Sequence, residues 1–173
     1  MRVLCRDISY TFPSVVRINR GKLSRDGLLE RAIEFNANKV IIIERWSEGT
    51  GKMVFFEARQ DSLVNVPPII YVRCERLRRN FEVQMRKGKT IKSIAIVASS
   101  KKMLDAEKLE NMFAEFFGIP IVSRREAISG NYDAAMQILS NFLNHITITF
   151  RLIPEFVEIG PKLDVARLVW ELK

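Results

Sequence analysis

Apolar residues recur along this chain in two rhythms, one of a helix and one of a strand. After Ser24, which suits a helix cap, Leu28, Leu29, Ala32, Ile33 and Phe35 fall at helical spacing, with Asp26 in the first turn, so a helix is predicted to about residue 36. Residues 39–44, Lys-Val-Ile-Ile-Ile-Glu, form a β-branched run of the kind covered on both faces. Polar residues 47–51 then predict a turn and residues 52–57 a second strand. Pro67 and Pro68 should stop the chain before a strand at 69–74. Phe81, Val83 and Met85 alternate with polar neighbours, which predicts a half-buried strand ending in a turn at Lys87-Gly88-Lys89.

Beyond it, residues 94–97 read as a buried strand. Asp105 can cap a helix carrying Leu109, Met112, Phe113, Phe116 and Phe117, ended by Gly118 with Pro120 just past it, and residues 119–122 follow as a short strand. Residues 24–43 and 105–122 thus share one order, capped helix then β-branched strand, which hints at a duplicated unit as much as at chance recurrence. In the last third, residues 136–139 and 146–150 read as strands, with Ile146, Ile148 and Phe150 inward and Thr147, Thr149 and Arg151 outward. Residues 163–172 fit a strand, the preferred reading, and, with Pro161 ahead of them, also a helix. The fold class is therefore α/β.

At 173 residues and 47% hydrophobic, the chain suits one globular domain rather than a disordered or spanning segment, because its apolar runs reach only four or five residues. The absence of a secretory signal pattern makes the cytoplasm the expected compartment. Cys5 and Cys74 stand far apart with no metal or disulfide spacing and read as small core residues.

Charge changes the picture more. The net charge is +8, yet residues 1–25 alone carry +5 (Arg2, Arg6, Arg17, Arg20, Lys22 and Arg25 against Asp7) and residues 72–92 carry +6. Two short stretches therefore exceed the whole net charge, and the rest is slightly acidic. Such clustering is self-repulsive, and a polyanion meeting both clusters would relieve it while releasing counterions. Nucleic acid is the natural ligand. An inert basic surface and an acidic protein partner docked by an adaptor are the competing readings, and no lipidation signal supports a membrane. Candidate phosphate contacts are Arg17, Arg20, Lys22 and Arg25 at the start of the first capped helix, and Arg76, Arg78, Arg79, Arg86, Lys87 and Lys89 as a second track that Lys162 and Arg167 extend.

Catalytic signals are weak. Gly49-Thr50-Gly51-Lys52 lacks the first Gly, the final Ser/Thr and the following helix of a phosphate loop, so it reads as a hairpin turn. His145, the single histidine, has no nucleophile pattern beside it. No His/Cys cluster offers a metal site, and no cofactor or small-molecule substrate is implied.

Two stretches carry more than charge. Arg17-Ile-Asn-Arg-Gly-Lys-Leu-Ser24 is an arginine and glycine turn leading into a capped helix, and Val157-Glu-Ile-Gly-Pro-Lys-Leu-Asp164 sets a Gly-Pro turn between an acidic and a basic residue. With the order of elements between them, they resemble the Brix-domain family of ribosome-biogenesis proteins, its short archaeal members in particular. The resemblance spans nearly the whole chain. It implies one α/β domain of two pseudo-symmetric halves, roughly 1–90 and 91–173, each similar to the anticodon-binding domain of class II aminoacyl-tRNA synthetases. It also implies a non-catalytic role bound to ribosomal RNA precursor, alongside guide small RNA and assembly proteins. One departure is that the family opens with a strand and a Thr-Ser-Arg-like turn, whereas this chain starts inside the following helix, so that first strand is expected to be missing.

Overall fold

The computed structural model describes residues 2–81, 90–99, 103–141, 143 and 145–171. The chain runs α1 (Arg2–Thr11), α2 (Arg25–Glu34), β1 (Lys39–Glu44), β2 (Gly51–Ala58), β3 (Leu63–Arg76), a 3₁₀ turn (Arg78–Asn80), β4 (Ile94–Val97), α3 (Leu104–Phe117), β5 (Ile121–Val122), α4 (Arg124–Ser129), β6 (Ala134–Ser140), β7 (Ile146–Leu152), β8 (Val157–Glu158) and β9 (Lys162–Val169). These elements make two compact units that interleave in sequence. Arg17–Val72 joins the tail from Ala166, and Arg2–Val16 joins Arg73–Val165.

In the first unit Ser24 stands extended and its hydroxyl accepts the Gly27 N–H at 3.1 Å, which caps α2. Leu28, Leu29 and Ala32 are buried, whereas Ile33 and Phe35 are exposed. Ile33 sits about 140° round the helix from Leu28, and Phe35 lies past the last helical residue, where Asn36 reverses the chain at φ +50°. Leu28 packs with Ile42, Val54 and Phe56, so α2 covers one face of the antiparallel β1–β2–β3 meander.

Two expectations change here. In β1 only Ile42 is fully buried, because the strand pairs with β2 alone among the described residues and takes a helix on a single face. The two prolines do not stop the chain either, since β3 runs straight through them. The β2–β3 ladder slips there: Met53 faces Ile70 and Phe55 faces Val66, so residues 67–69 lie opposite Val54 alone. A bulge asks for fewer ladder donors, which is where residues without an N–H are tolerated.

The second unit holds a mixed sheet in the order β9-β7-β6-β4-β5, with β8 added to β7. β4 runs parallel to β5 and β6, and β7 runs antiparallel to β6 and β9. Helices α1 and α3 share one face: the Phe12 ring stacks on Phe117 at 3.9 Å and meets Phe150 edge-on at 5.6 Å. On the other face Ala127 of α4 packs with Val97, Ala135 and Phe156.

Thr149 and Arg151, expected to face outward, are covered by the chain at 153–159, which folds back over them. Thr149 is wholly buried and donates to Glu158 Oε1 at 2.6 Å, while Arg151 donates to the Phe156 carbonyl at 3.0 Å. Asp105 sits in the first turn of α3 rather than at its cap, which is Met103 with no side-chain bond. Gly118, at φ +64°, ends that helix as expected. Helix α4 has no counterpart in the periodicity, being too short to show one, yet Ser123 and Glu126 close a reciprocal capping box at its start. Residues 163–169 are a strand. Of the strand expected around Phe81 and the turn at Lys87-Gly88-Lys89, only Phe81 lies within the described residues.

Two glycines at positive φ separate backbone strain from crowding. A Cβ on Gly21 (φ +56°) would meet nothing within 4 Å, whereas on Gly160 (φ +64°) it would collide with the Phe81 ring. Gly21→Ala should therefore cost about 1 kcal/mol and Gly160→Ala about 2–4 kcal/mol, measured by urea unfolding; equal costs would place the Phe81 ring elsewhere. The Ser123 backbone N–H, and then its hydroxyl, hold the Glu126 carboxyl below its ordinary value. That stability is present above the unfolded-state value and is lost as pH falls through the folded one, so Glu126→Gln should flatten the acid limb of the stability–pH curve.

Candidate nucleic-acid interface

In the first unit the basic residues gather on a turn and a helix start. The Leu23 N–H donates to the Arg20 carbonyl at 3.0 Å, closing a tight turn whose second residue, Gly21, takes the left-handed conformation. That turn holds Lys22 out in solvent. Arg20 bends back on it: its Nε donates to the Leu23 carbonyl at 3.3 Å and its Nη1 to Glu44 Oε1 at 3.1 Å. Lys52 Nζ lies 3.5 Å from the other Glu44 oxygen, so this carboxylate already serves two cations. Arg17 and Arg25 are exposed, and the Arg25 guanidinium lies 5.6 Å from the centre of the Phe56 ring. Arg167, on β9, reaches over Tyr71 at 5.5 Å, and Trp46 meets Tyr71 edge-on at 5.2 Å.

In the second unit the arrangement is built on a buried carboxylate. Asp7 of α1 is 3% exposed, and its Oδ2 accepts the backbone N–H of Arg78 at 2.9 Å across 71 positions of sequence. Arg6 Nε lies 3.8 Å from the other oxygen. So held, Arg78 lays its guanidinium over Tyr10 at 4.9 Å. Burial pulls the Arg78 guanidinium below the usual arginine value, against the opposing pull of Asp7 and Tyr10. Arg76 covers the Phe81 ring at 4.5 Å and donates to the Asn80 carbonyl at 2.7 Å. Lys162 Nζ pairs with Glu75 Oε2 at 2.6 Å.

The nominated residues thus divide by what holds them. Arg20 and Lys162 are compensated by carboxylates. Arg25, Arg76, Arg78 and Arg167 lie over aromatic rings. Lys22 and Arg79 are exposed with no ion pair among the described residues. Lys162 and Arg167, nominated together, fall in different units. Arg86, Lys87 and Lys89 lie outside the described residues. Asp7 and Tyr10 escape sequence reasoning because their partners are some 70 positions away; the only local signal is that α1 is amphipathic while carrying an aromatic on its polar side.

His145 sits at the end of the β6–β7 hairpin, its N–H donating to Asn141 Oδ1 at 3.1 Å and its Nε2 lying 2.6 Å from Asp164 Oδ1. Among the described residues no three of His, Cys, Asp and Glu gather as a metal site, and no helix is long and apolar enough to cross a membrane.

No family model matches the chain, and no curated protein does. Among solved structures, that of a probable ribosomal biogenesis protein from Aeropyrum pernix K1 is similar at a TM-score of 0.70 and 20% identity, over 99% of this chain and 89% of that one. At that identity the likeness establishes a shared fold.

Removing the buried carboxylate leaves the Arg78 N–H without its acceptor, so Asp7→Ala should cost about 1–3 kcal/mol in urea unfolding. Asp7→Asn, which keeps an acceptor oxygen, should recover part of the loss. Burial, and after it the nearby Asp7, raises the Cys74 thiol. Alkylation of Cys74, followed by peptide mass mapping, should accordingly be slower at pH 8 than that of free cysteine and rise steeply at higher pH.

Proposed function

We propose that this chain is a non-catalytic RNA-binding factor of ribosome biogenesis, of the Brix type, which holds ribosomal RNA precursor during processing and subunit assembly. The observation that carries this reading is the set of guanidinium groups held over aromatic rings in both units. A guanidinium so placed is pre-oriented, and its outer face and edge stay available for an unpaired base or a phosphate. Lys22 and Arg79, exposed and without ion pairs among the described residues, suit phosphate contacts beside these arginines. The shared fold with a protein described as a probable ribosomal biogenesis factor supports the same reading, as do the Arg17–Ser24 and Val157–Asp164 motifs. On this view the family's pseudo-symmetric halves are those near 1–90 and 91–173, guide RNA and assembly proteins are the further partners, and the setting is the cytoplasm. The protein acts by positioning, with no bond made or broken.

Filter binding against structured precursor ribosomal RNA tests it. Affinity should fall by roughly tens to hundreds of fold between 50 and 200 mM salt if several phosphates are neutralised, and an affinity indifferent to salt would sink the reading. Arg79→Glu should weaken binding while leaving the unfolding midpoint unchanged. Arg78→Glu should do both, because Arg78 is half-buried against Tyr10 and its backbone is tied to Asp7.

A further inference from the structure

The arginine–aromatic contacts are not equivalent. Phe56 is 2% exposed and Phe81 is 5% exposed, so Arg25 and Arg76 lie over rings whose remaining surface is packed inside. Arg76 is also committed to the Asn80 carbonyl, and the Phe81 ring fills the space beside Gly160. Tyr10 differs. It sits on the polar side of α1, away from Leu4 and Ile8, and is 56% exposed although Arg78 already covers one face of its ring. A large aromatic left open at a helix surface forgoes burial unless something stacks on it. Its surroundings are cationic: Arg78 on the covered face, Arg79 next in the chain, and Arg6 four residues before it on the same helix.

We infer that the open face of Tyr10, backed by Arg78, is a stacking platform for one unpaired nucleobase of the bound RNA, an inference that rests on the RNA-binding reading above. The chemistry is that of single-strand recognition: a flat π surface accepts any base, an arginine behind it strengthens the stack, and neighbouring guanidinium groups take the flanking phosphates. A base inside a duplex keeps its π faces against its neighbours, so the platform discriminates unpaired from paired RNA without reading sequence. Asp7 acts as a positioning residue. By binding the Arg78 N–H it fixes the turn that carries the guanidinium, so the platform is formed before RNA arrives.

Fluorescence anisotropy at fixed salt with two probes, an unstructured nine-nucleotide RNA and a fully paired duplex of the same length, tests this on the full chain. Tyr10→Ala should weaken the single strand about five- to a hundredfold and leave the duplex within twofold, while Tyr10→Phe keeps wild-type affinity for both. A 2-aminopurine placed in the single strand should be quenched on binding the wild type and less so on binding Tyr10→Ala. Tyr10→Ala also uncovers Arg78, so a modest fall in melting temperature with an unchanged circular-dichroism spectrum is expected, and the preserved spectrum separates loss of stacking from loss of fold. Equal single-strand affinity for Tyr10→Ala and wild type overturns the platform while leaving the RNA-binding reading intact, provided that Arg79→Glu still weakens both probes. If the wild type binds neither probe and neither responds to Arg79→Glu, the RNA-binding reading itself fails and takes the platform with it.

Discussion

A single buried carboxylate organises the basic surface of the second unit. Asp7 is almost wholly removed from water, and an unpaired charge there would be heavily penalised. It is satisfied by the Arg78 backbone N–H and attended by Arg6, whose Nε lies 3.8 Å from its other oxygen. One hydrogen bond thereby joins a helix at the start of the chain to a 3₁₀ turn reached more than 60 residues later. The consequences follow outward. The turn is held beside α1, the Arg78 guanidinium lies over Tyr10, and Arg79 is exposed to solvent. A buried ionic group is weak evidence of stability; what Asp7 visibly does is tie the turn that carries Arg78 and Arg79 to α1.

The molecule handles its excess of positive charge in two ways, with different consequences for binding. Where a carboxylate is within reach, as Glu44 is for Arg20 and Lys52 or Glu75 for Lys162, the cation is neutralised and serves to hold loop and strand. Such exposed pairs add little to stability, about 0–1 kcal/mol each, so their value lies in geometry. Elsewhere the guanidinium lies over a ring, which orients it without cancelling its charge. Charge that is oriented but uncompensated is what a polyanion can use. The number of arginines in a cationic stretch therefore says less about its binding capacity than the partner each one has found.

The same distinction explains which expectations from sequence held. Ser24 and Gly118 act through contacts within a few residues and produced the helix start and helix end they foretold, and the runs at 39–44 and 146–150 produced strands, although not the burial expected of their faces. The errors arose where distant chain intervened. Thr149 and Arg151 alternate outward by the pleat, yet residues 153–159 return to cover them. Pro67 and Pro68 break a regular ladder, yet the slip opposite Val54 gives them a position without donors to supply. Residues 39–44 look like a central strand, yet among the described residues β1 pairs with β2 alone, at an edge.

Composition and spacing alone determined the α/β class, most of the element order, and the concentration of charge in two stretches, because all of these are local sums along the chain. Which arginines are neutralised, which are stacked and which remain open was decided only by tertiary structure. An ion pair or a ring contact depends on a partner tens of residues away, and no periodicity encodes that distance. Tyr10 is the clearest case: on its own helix it is an unremarkable aromatic, and it becomes a candidate for recognition only once Asp7 has drawn Arg78 across its face.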